Sequence, residues 1–430
     1  MIGQQEQNLF GENKPISDEA ELLFKLVFNL PINWVGNKKR MLNRLLVFIN
    51  ENNIEHSSFF DVFSGSGVVS LLAAASNKKV ISNDLLILST TWIMQLLSSI
   101  RNPLSVDEAV ELLRKTNEIT GTPTQIGFLS KLYDGALLSQ EELKYLDAYR
   151  RAVSIMFGPY MPIGKRLCDN SYKPAFINLN DKSVVFNCPI SNPEKTSFAM
   201  QMMCIHILQQ AFMGGRCYKS QLLSVSEKRL REGKVNLHGN SNAIGNENLL
   251  IKLLSPRTYP TKEITHFLST KDFSADIFNC DAETLISSGS VASEVAYFDP
   301  PYGGYNSDYA WMYRVCEEFL TGVRLEDCRE LRECSVKFKG NDYERDKSFA
   351  KQQRKGYTDN FSALLNVSKI FPYWLISFNE SSFASIEDIV NIVSSFRQKI
   401  VVESVDGYRY NYREKSSKAG SEYIILARSN

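Results

Sequence analysis

Apolar residues recur along the chain with two periods, and these periods predict the order of its elements. The stretch AELLFKLVFNL has the spacing of an amphipathic helix. The stretch SSFFDVFSGSGVVSLLAAAS predicts a buried strand, a glycine turn and a helix that begins near Val68. KKVISNDL then predicts a short strand that ends at Asp84. Strand, loop, helix and strand in this order form a βαβ unit, so we expect an α/β fold.

The alternation of strands and helices is lost in the middle of the chain and returns afterwards. Between residues 91 and 270, helical stretches such as EELKYLDAYRRAVSIM alternate with polar, Asn-rich loops. Beyond residue 270, ADIFNCDAETLI and EVAYFDPP restore the alternation, and YWLISFNES and SEYIILARS have the composition of strands. We therefore expect a catalytic domain over 1–90 and 271–430, with a mostly helical domain over 91–270 inserted into it.

Composition excludes several classes of protein and leaves the predicted architecture unchanged. The 430 residues are 43% hydrophobic with a formal net charge of +1, so a polyanion would have to bind through local patches. No apolar run approaches the ~20 residues of a membrane span, and the polar N-terminus lacks the apolar core of a signal peptide. The eight scattered cysteines include no CxxC pair, which predicts a reduced, intracellular protein with no metal site.

A glycine loop follows the first predicted strand, at the edge where α/β sheets bind ligands. It runs Asp61-Val-Phe-Ser-Gly65-Ser-Gly67, and its glycines would let the backbone pass close to a ligand. Asp84 ends the next strand, where a carboxylate can accept hydrogen bonds from ribose hydroxyls. The loop lacks the third glycine of the dinucleotide fingerprint. The alternative is therefore a turn that needs two glycines only for its own conformation.

The block Asp299-Pro300-Pro301-Tyr302 ends another buried strand. Each proline restricts the residue before it and has no N–H of its own. The Asp299 carboxylate and the Pro300 carbonyl can therefore face one spot, and two such acceptors suit the exocyclic amino group of a nucleobase. Tyr302 can hold the flat base by stacking. The alternative is a turn that merely ends the strand, with Asp299 as a cap and Tyr302 packed against the protein.

Taken in their order, these blocks resemble the Dam-like family of DNA adenine-N6 methyltransferases. The shared order is an amino-terminal cofactor turn (NWVGNKKRML), the glycine loop, a recognition region and the Asp-Pro-Pro-Tyr block, which together span about 31–430. The resemblance implies a Rossmann-like, S-adenosylmethionine-dependent methyltransferase fold with an inserted target-recognition lobe. It also implies transfer of a methyl group to the N6 amine of a flipped-out adenine in double-stranded DNA.

The resemblance assigns roles to individual residues of this chain. The residues that would hold and activate the target base are Asp299, Pro300, Pro301 and Tyr302. Those that would bind the cofactor are Trp34, Gly36, Lys38, Asp61, Phe63, Ser64, Gly65, Gly67, Asp84 and Asp281. Lys38 would meet the cofactor carboxylate, Asp84 the ribose and Asp281 the adenine ring. The alternatives are a solvated lysine at 38, a core tryptophan at 34 and a helix cap at 281.

Contacts to DNA are expected from two segments. MGGRCYKSQLL resembles a glycine, aromatic and basic segment of the family's recognition region, which makes Arg216, Tyr218 and Lys219 candidates for DNA binding. Arginine can read guanine or hold a phosphate, and the sequence leaves both roles open for Arg216. WLISFNESSF resembles the strand beside the base pocket, with Phe378 as a wall and Asn379 as a further DNA contact.

Four other functions compete with adenine methylation of DNA. The large inserted lobe disfavours an RNA adenine methyltransferase, and a nicotinamide dehydrogenase would leave the Asp-Pro-Pro-Tyr block unexplained. A cytosine-N4 DNA methyltransferase would use the same pair of acceptors, but Asp rather than Ser before the prolines, together with the motif order, favours adenine. A non-catalytic DNA-binding module could keep the fold, but the intact Asp-Pro-Pro-Tyr block and glycine loop argue against it. The expected setting is the cytoplasm of a bacterial, archaeal or phage-infected cell. A restriction endonuclease acting on the same site is a candidate partner.

Overall fold

A computed structural model supplies the fold. It describes residues 17–30, 34, 36–98, 103–122, 127–133, 140–160, 175–187, 190–210, 262–302, 309–322, 354–380, 382–405 and 422–429. Nine strands form a single sheet. Their bounds are β1 Ser58–Asp61, β2 Lys79–Asn83, β3 Ala175–Ile177, β4 Val184–Phe186, β5 Ala275–Phe278, β6 Val295–Phe298, β7 Tyr373–Asn379, β8 Lys399–Val405 and β9 Glu422–Arg428.

The described helices lie between these strands. Those before β3 are α1 Asp18–Phe28, α2 Leu42–Glu51, α3 Val68–Ala75, α4 Ile87–Leu97, α5 Val106–Thr120, α6 Phe128–Tyr133 and α7 Gln140–Phe157. Those after β4 are α8 Pro193–Gln210, α9 Lys262–Ser269, α10 Ala282–Ser287, α11 Tyr309–Met312, α12 Arg314–Thr321, α13 Arg354–Val367 and α14 Ile386–Ser394, with a short 3-10 helix at Ser368–Ile370.

The sheet is mostly parallel and has the order β4-β3-β5-β2-β1-β6-β7-β9-β8. The five strands from β5 to β7 run parallel, while β3 is antiparallel to β5, and β9 is antiparallel to both β7 and β8. From β1 the chain adds strands first on one side, through β2 and β5, and then on the other, through β6 and β7. The order thus reverses between β1 and β6, and ligands of open α/β sheets bind at the carboxyl ends of the strands at such a point.

Helices cover both faces of the sheet, because its central strands are apolar at consecutive positions. Neighbouring side chains along a strand point to opposite faces. Phe59 and Val80 accordingly join the larger hydrophobic cluster, whereas Phe60 and Ile81 join the smaller one. The smaller cluster is closed by α10, α13 and α14, and the larger by helices of the first half of the chain together with α9 and α12. This packing confirms the predicted α/β class.

The described residues in the middle of the chain pack against the catalytic half, and the division into two domains stays a prediction. Residue 91, the expected boundary, lies inside α4, and β3 and β4 extend the central sheet beside β5. Side chains of α5, α7 and α8, such as Leu112, Leu146 and Phe198, belong to the same hydrophobic cluster as the catalytic half. Strands of three residues are too short to produce a recognisable period, which is why the sequence pattern did not reveal them. Residues 211–261 lie outside the described part of the chain.

Candidate active site

Three loops meet at the carboxyl edge of the sheet, on either side of the point where the strand order reverses. Asp61 ends β1 and opens the glycine loop, Asp84 follows β2, and Asp299 follows β6. Since β2, β1 and β6 are adjacent parallel strands, their ends bring these three carboxylates together. The three acidic residues of these predicted motifs therefore lie near one another in the folded protein.

The backbone of the glycine loop takes a conformation that favours glycine. Gly65 has φ +51° and Gly67 has φ +73°, both in the left-handed region. A Cβ at Gly67 would lie 2.7 Å from Cγ1 of Ile93 on α4. The Ser64 hydroxyl donates to the Asp61 carbonyl (2.9 Å) and the Asn83 carbonyl (3.0 Å), which ties the loop to the end of β2. Ser64 thus shapes the loop through its side chain.

The Asp84 carboxylate holds the same loop from the neighbouring strand. Its Oδ2 accepts a hydrogen bond from the Gly65 N–H and its Oδ1 accepts one from the Leu86 N–H, each at 2.8 Å. Each carboxylate oxygen can accept a second hydrogen bond. The position is therefore compatible with the predicted ribose contact and also has a structural task that the sequence did not indicate.

Asp61 is buried beneath the loop with one oxygen satisfied and the other not. Its Oδ2 accepts from the Ser70 hydroxyl at 2.7 Å, whereas its Oδ1 has no hydrogen-bond partner in the structure. Burial raises the pKa of Asp61 to about 7; the Ser70 hydrogen bond opposes the rise, and the charges of Asp299 and Asp84 add to it. A buried acceptor without a hydrogen-bond donor destabilises the folded protein, and a ligand that places a donor or a cation beside this oxygen would remove that cost.

The amino-terminal turn frames the glycine loop with aromatic rings. The Trp34 ring is buried, stacks on Tyr313 at 4.2 Å and meets Trp92 edge-on at 5.0 Å. A Cβ at Gly65 would lie 3.0 Å from the indole nitrogen of Trp34. Gly36 has φ +72°, and a Cβ there would lie 2.8 Å from the Tyr309 hydroxyl. Trp34 is thus part of the core, as the alternative interpretation had it, and it also supports the loop.

Lys38 is buried among polar side chains at the end of β6. Its ammonium group is buried and bonds to the Tyr302 hydroxyl, to Oε1 of Glu422 at 2.7 Å and to Oδ1 of Asp299 at 3.0 Å. Lys38 therefore bonds to side chains at the end of β6, and its contact with a cofactor carboxylate stays a prediction. It is not a solvated lysine.

Asp299 presents one oxygen to the protein and the other outward. Its Oδ1 takes the contact from Lys38 and a 2.7 Å hydrogen bond donated by the Tyr302 hydroxyl. Its Oδ2 takes no hydrogen bond from any described residue, and 16% of the side chain is exposed. Burial raises the pKa of the carboxyl, and the charge of Glu422 adds to this, while Lys38 and the Tyr302 hydrogen bond oppose it.

The rest of the Asp-Pro-Pro-Tyr block is held rigidly against β7. The Pro300 carbonyl accepts no hydrogen bond from the residues that the structure describes. The Tyr302 ring is buried and meets Phe378 edge-on at 6.2 Å, and its carbonyl accepts from the Phe383 N–H at 3.1 Å. Pro301 is half-buried beside it. Two acceptors, Asp299 Oδ2 and the Pro300 carbonyl, are thus left without donors from the described protein at the end of one strand.

Asp281 and Phe63 take positions that the resemblance did not specify. Asp281 is exposed and caps α10, where its Oδ1 accepts the backbone N–H of Thr284 at 2.8 Å. A cap needs only that backbone donor, so the missing Glu or Gln at position 284 did not prevent it. Phe63 is half-buried against the smaller hydrophobic cluster. A cofactor contact by either residue stays a prediction.

The strand beside the predicted base pocket uses its polar side chains internally. Ser377 accepts from the Tyr297 hydroxyl at 2.8 Å, and Asn379 donates to Oε2 of Glu422 at 2.8 Å. Asn379 is 1% exposed, so it is placed to support the tip of β6 more directly than to touch DNA. The segment of Arg216, Tyr218 and Lys219 lies outside the described residues.

Several residues of this edge have no motif in the sequence. Glu422 is the first residue of β9 and is fully buried against Lys38. Asn279 donates to the carbonyls of Asp84 and Leu85, at 2.9 and 3.0 Å, and so joins the end of β5 to the end of β2. Burial raises the pKa of Tyr309, and the charge of Asp299 adds to the rise. In the sequence, Glu422 appears only as a single acidic residue before an apolar run, and this pattern is weak evidence for a functional residue.

No group of three or more His, Cys, Asp and Glu side chains among the residues that the structure describes could hold a metal ion. No helix within the described ranges is long and apolar enough to cross a membrane.

Comparison with known proteins agrees with the geometry. Residues 34–160 match the model of the D12 class of N6 adenine-specific DNA methyltransferases. The chain is also 20% identical to the type II methyltransferase M2.HphI of Haemophilus parahaemolyticus over 392 residues, which cover 90% of this chain and 94% of that protein. Together with the motif order, these matches make the chain similar to N6-adenine-specific DNA methyltransferases over residues 34–160 and to a type II methyltransferase over 90% of its length.

Proposed function

We propose that this protein methylates the N6 amine of an adenine within a specific DNA sequence, with S-adenosylmethionine as the methyl donor. The observation that carries the proposal is the pair of oxygen acceptors at the end of β6, Asp299 Oδ2 and the Pro300 carbonyl, neither of which takes a hydrogen bond from the described protein. An amino group has two hydrogens to donate, and this pair is suited to receive both.

The residues around the glycine loop fit the methyl donor. S-Adenosylmethionine carries a sulfonium and an ammonium group, and the site holds the carboxylates of Asp61, Asp84 and Asp299 close enough for the other two charges to raise the pKa of Asp61. The unpaired Oδ1 of Asp61 offers a buried acceptor to such a ligand. Asp84 would receive the ribose hydroxyls, and Asp281 and Phe63 would lie at the adenine end.

The tip of β6 would prepare the target amine for reaction. The lone pair of an aromatic amine is delocalised into the ring, and accepting both hydrogens in a fixed geometry favours a more pyramidal, more nucleophilic nitrogen. Dipoles that are fixed in advance in this way act on charge as it develops. The cofactor would supply an electrophilic methyl group: the amine nitrogen would form a bond to that carbon as the carbon–sulfur bond breaks, S-adenosylhomocysteine would leave, and the amine proton would pass to water.

The target base has to leave the duplex before it can reach this edge. Extrusion costs a few kcal/mol, and contacts of the protein with the flipped base and the surrounding DNA repay it. We assign the base contact to Tyr302 and Phe378, and the reading of the DNA sequence to the region 91–270, with Arg216, Tyr218 and Lys219 as its candidates. Since the net charge is only +1, these basic residues would form a local patch. A type II relative makes a restriction–modification setting the natural one.

In vitro modification of genomic DNA tests the proposal. Unmethylated genomic DNA is incubated with the full-length protein and S-adenosylmethionine, and modified bases are mapped by long-read sequencing. The expected result is N6-methyladenine at one short sequence motif. N4-methylcytosine would instead identify the competing cytosine enzyme, and no modified base above the level of a reaction without protein would contradict the proposal.

A further inference from the structure

Behind the Asp-Pro-Pro-Tyr block at the end of β6 lies a buried group of polar and charged side chains. It includes Glu422, which belongs to none of the sequence motifs. We call it the Lys38 cluster, and its members are Lys38, Asp299, Tyr302, Asn379 and Glu422. The ammonium of Lys38 lies between the two carboxylates, 3.0 Å from Asp299 Oδ1 and 2.7 Å from Glu422 Oε1. The Tyr302 hydroxyl also lies 3.1 Å from Glu422 Oε1. With its ionisable groups charged, the cluster carries one positive and two negative charges.

The sheet register fixes Glu422 in this place. β9 runs antiparallel to β7, and the register sets Glu422, its first residue, opposite Asn379, the last residue of β7. The amide of Asn379 then donates to Glu422 Oε2 at 2.8 Å, while Oε1 faces Lys38. Both oxygens of Glu422 are therefore engaged on different partners, and the side chain is fully buried. This arrangement leaves the carboxylate little freedom to move.

A buried charge group of this kind needs an explanation beyond stability. Removing charges from water costs several kcal/mol per ion, and well-packed apolar residues in their place are often equally or more stabilising. A lysine paired with Asp299 alone would neutralise the one carboxylate that faces the target base. A second carboxylate on the same ammonium leaves the cluster with a net negative charge.

We propose that Glu422 is a positioning residue for the methyl-transfer reaction: it shares the Lys38 ammonium with Asp299, so that Asp299 keeps its place and the cluster keeps a net negative charge beside the target amine. The amine nitrogen becomes positive as it gains the methyl group, and a net negative cluster beside it stabilises that charge. The inference rests on the proposed function, since it concerns how the same site is tuned. It adds a residue from the last strand, 120 positions beyond the Asp-Pro-Pro-Tyr tyrosine.

The test is a comparison of Glu422→Gln and Glu422→Asp with the wild type. We expect Glu422→Gln to lower kcat by about 10- to 100-fold, because Lys38 then neutralises Asp299. Binding of S-adenosylmethionine, measured by calorimetric titration, should change by less than about threefold. Glu422→Asp keeps the charge at a longer distance, and we expect it to restore part of the lost rate.

The dependence of kcat on pH separates this role from a structural one. The charge of Glu422 raises the pKa of Asp299, so its removal should move the acidic limb of the profile to lower pH. Glu422→Asp should move the limb in the same direction but less far. A variant that is only badly packed would lose rate without moving the limb.

Glu403→Gln is the matched control. Glu403 lies on the neighbouring strand β8, where it pairs with Arg44 at the surface, and this variant should keep the wild-type kcat, pH profile and cofactor affinity. Wild-type kcat in Glu422→Gln would overturn the inference, and so would a loss of rate with an unmoved acidic limb. If Glu422→Gln does not fold, Glu422→Asp decides: an acidic limb at its wild-type position in that variant would overturn the inference. Absence of DNA methylation by the wild type would instead overturn the proposed function.

Discussion

Single side chains at the carboxyl edge of this sheet carry several tasks at once. One oxygen of Asp299 accepts from Lys38 and Tyr302, which fixes the position of the side chain. The other oxygen is exposed and can accept a hydrogen bond from a ligand. Asp84 fixes the backbone of the glycine loop with both oxygens. A substitution at either residue therefore changes both a contact to a ligand and the geometry of the protein around it.

Asp84→Ala should weaken cofactor binding much more than DNA binding. The variant loses two hydrogen bonds that fix the loop, besides the proposed ribose contact, and each bond to a charged acceptor contributes about 1.5–3 kcal/mol. We expect the affinity for S-adenosylmethionine to fall at least about tenfold in calorimetric titration, with DNA affinity nearly unchanged. Asp84→Asn keeps one acceptor oxygen and should lose less. The reverse pattern, weakened DNA binding with normal cofactor affinity, would remove Asp84 from the cofactor site.

At the scale of elements, the site depends on how the strand ends are joined. Ser64 ties the glycine loop to β2, Asn279 ties β5 to β2, and Glu317 of α12 accepts the N–H groups of Ile87 and Leu88 at the start of α4. These bonds satisfy backbone groups that would otherwise be buried without partners. The loop and the helix behind it are thus held as one unit.

Gly67→Ala tests this unit directly. A Cβ at position 67 has to adopt φ +73° and would lie 2.7 Å from Ile93, so both backbone strain and overpacking oppose it. We expect a loss of roughly 2–5 kcal/mol in the free energy of unfolding, measured with a denaturant. Gly289→Ala is the control, since Gly289 has φ +70° with nothing within 4 Å of its added Cβ, and should cost only roughly 1–2 kcal/mol. Equal losses in the two variants would show that α4 does not press on the loop.

The elements that carry the predicted motifs were the ones the sequence could reveal. β1, α3 and β2 each contain consecutive apolar residues, glycine and asparagine lie between them, and each appears close to its expected place. By contrast, β3 and β4 have three residues each and carry no period, so their addition to the sheet could not be foreseen. Glu422 is brought to Lys38 by the register between β9 and β7, a long-range pairing that no local pattern contains.

On the scale of the whole molecule, one sheet with helices on both faces supports a site made almost entirely of its strand ends. This arrangement buries carboxyl groups, and burial is unfavourable for their charged forms. Asp61 lies in the centre of the sheet with a pKa of about 7, far above its ordinary 3.8, mainly because it is buried. A raised pKa means that the folded protein binds the proton more tightly than the unfolded chain does. The contribution of Asp61 to stability should therefore fall as pH rises from about 4 to about 7.

Asp61→Asn should reduce this dependence on pH. Asparagine does not titrate, so the variant escapes the cost of a buried charge, which reaches at most about 4 kcal/mol above pH 7. We expect the difference in unfolding temperature between variant and wild type, without cofactor, to shift in favour of the variant as pH increases from 5 to 8. The exposed Asp359→Asn is the control and should follow the wild type. A difference that stays constant over this range would contradict the assignment.

Labelled methyl transfer by Asp299→Asn tests the central claim most directly. The variant keeps the size of the side chain but replaces one oxygen acceptor by a donor, so the pair that receives the amine hydrogens is broken. In a single-turnover reaction with labelled S-adenosylmethionine and DNA, we predict that methylation falls by at least about 100-fold while cofactor affinity stays within about threefold. Transfer at the wild-type rate would contradict the account, because the tip of β6 would then not hold the reacting amine.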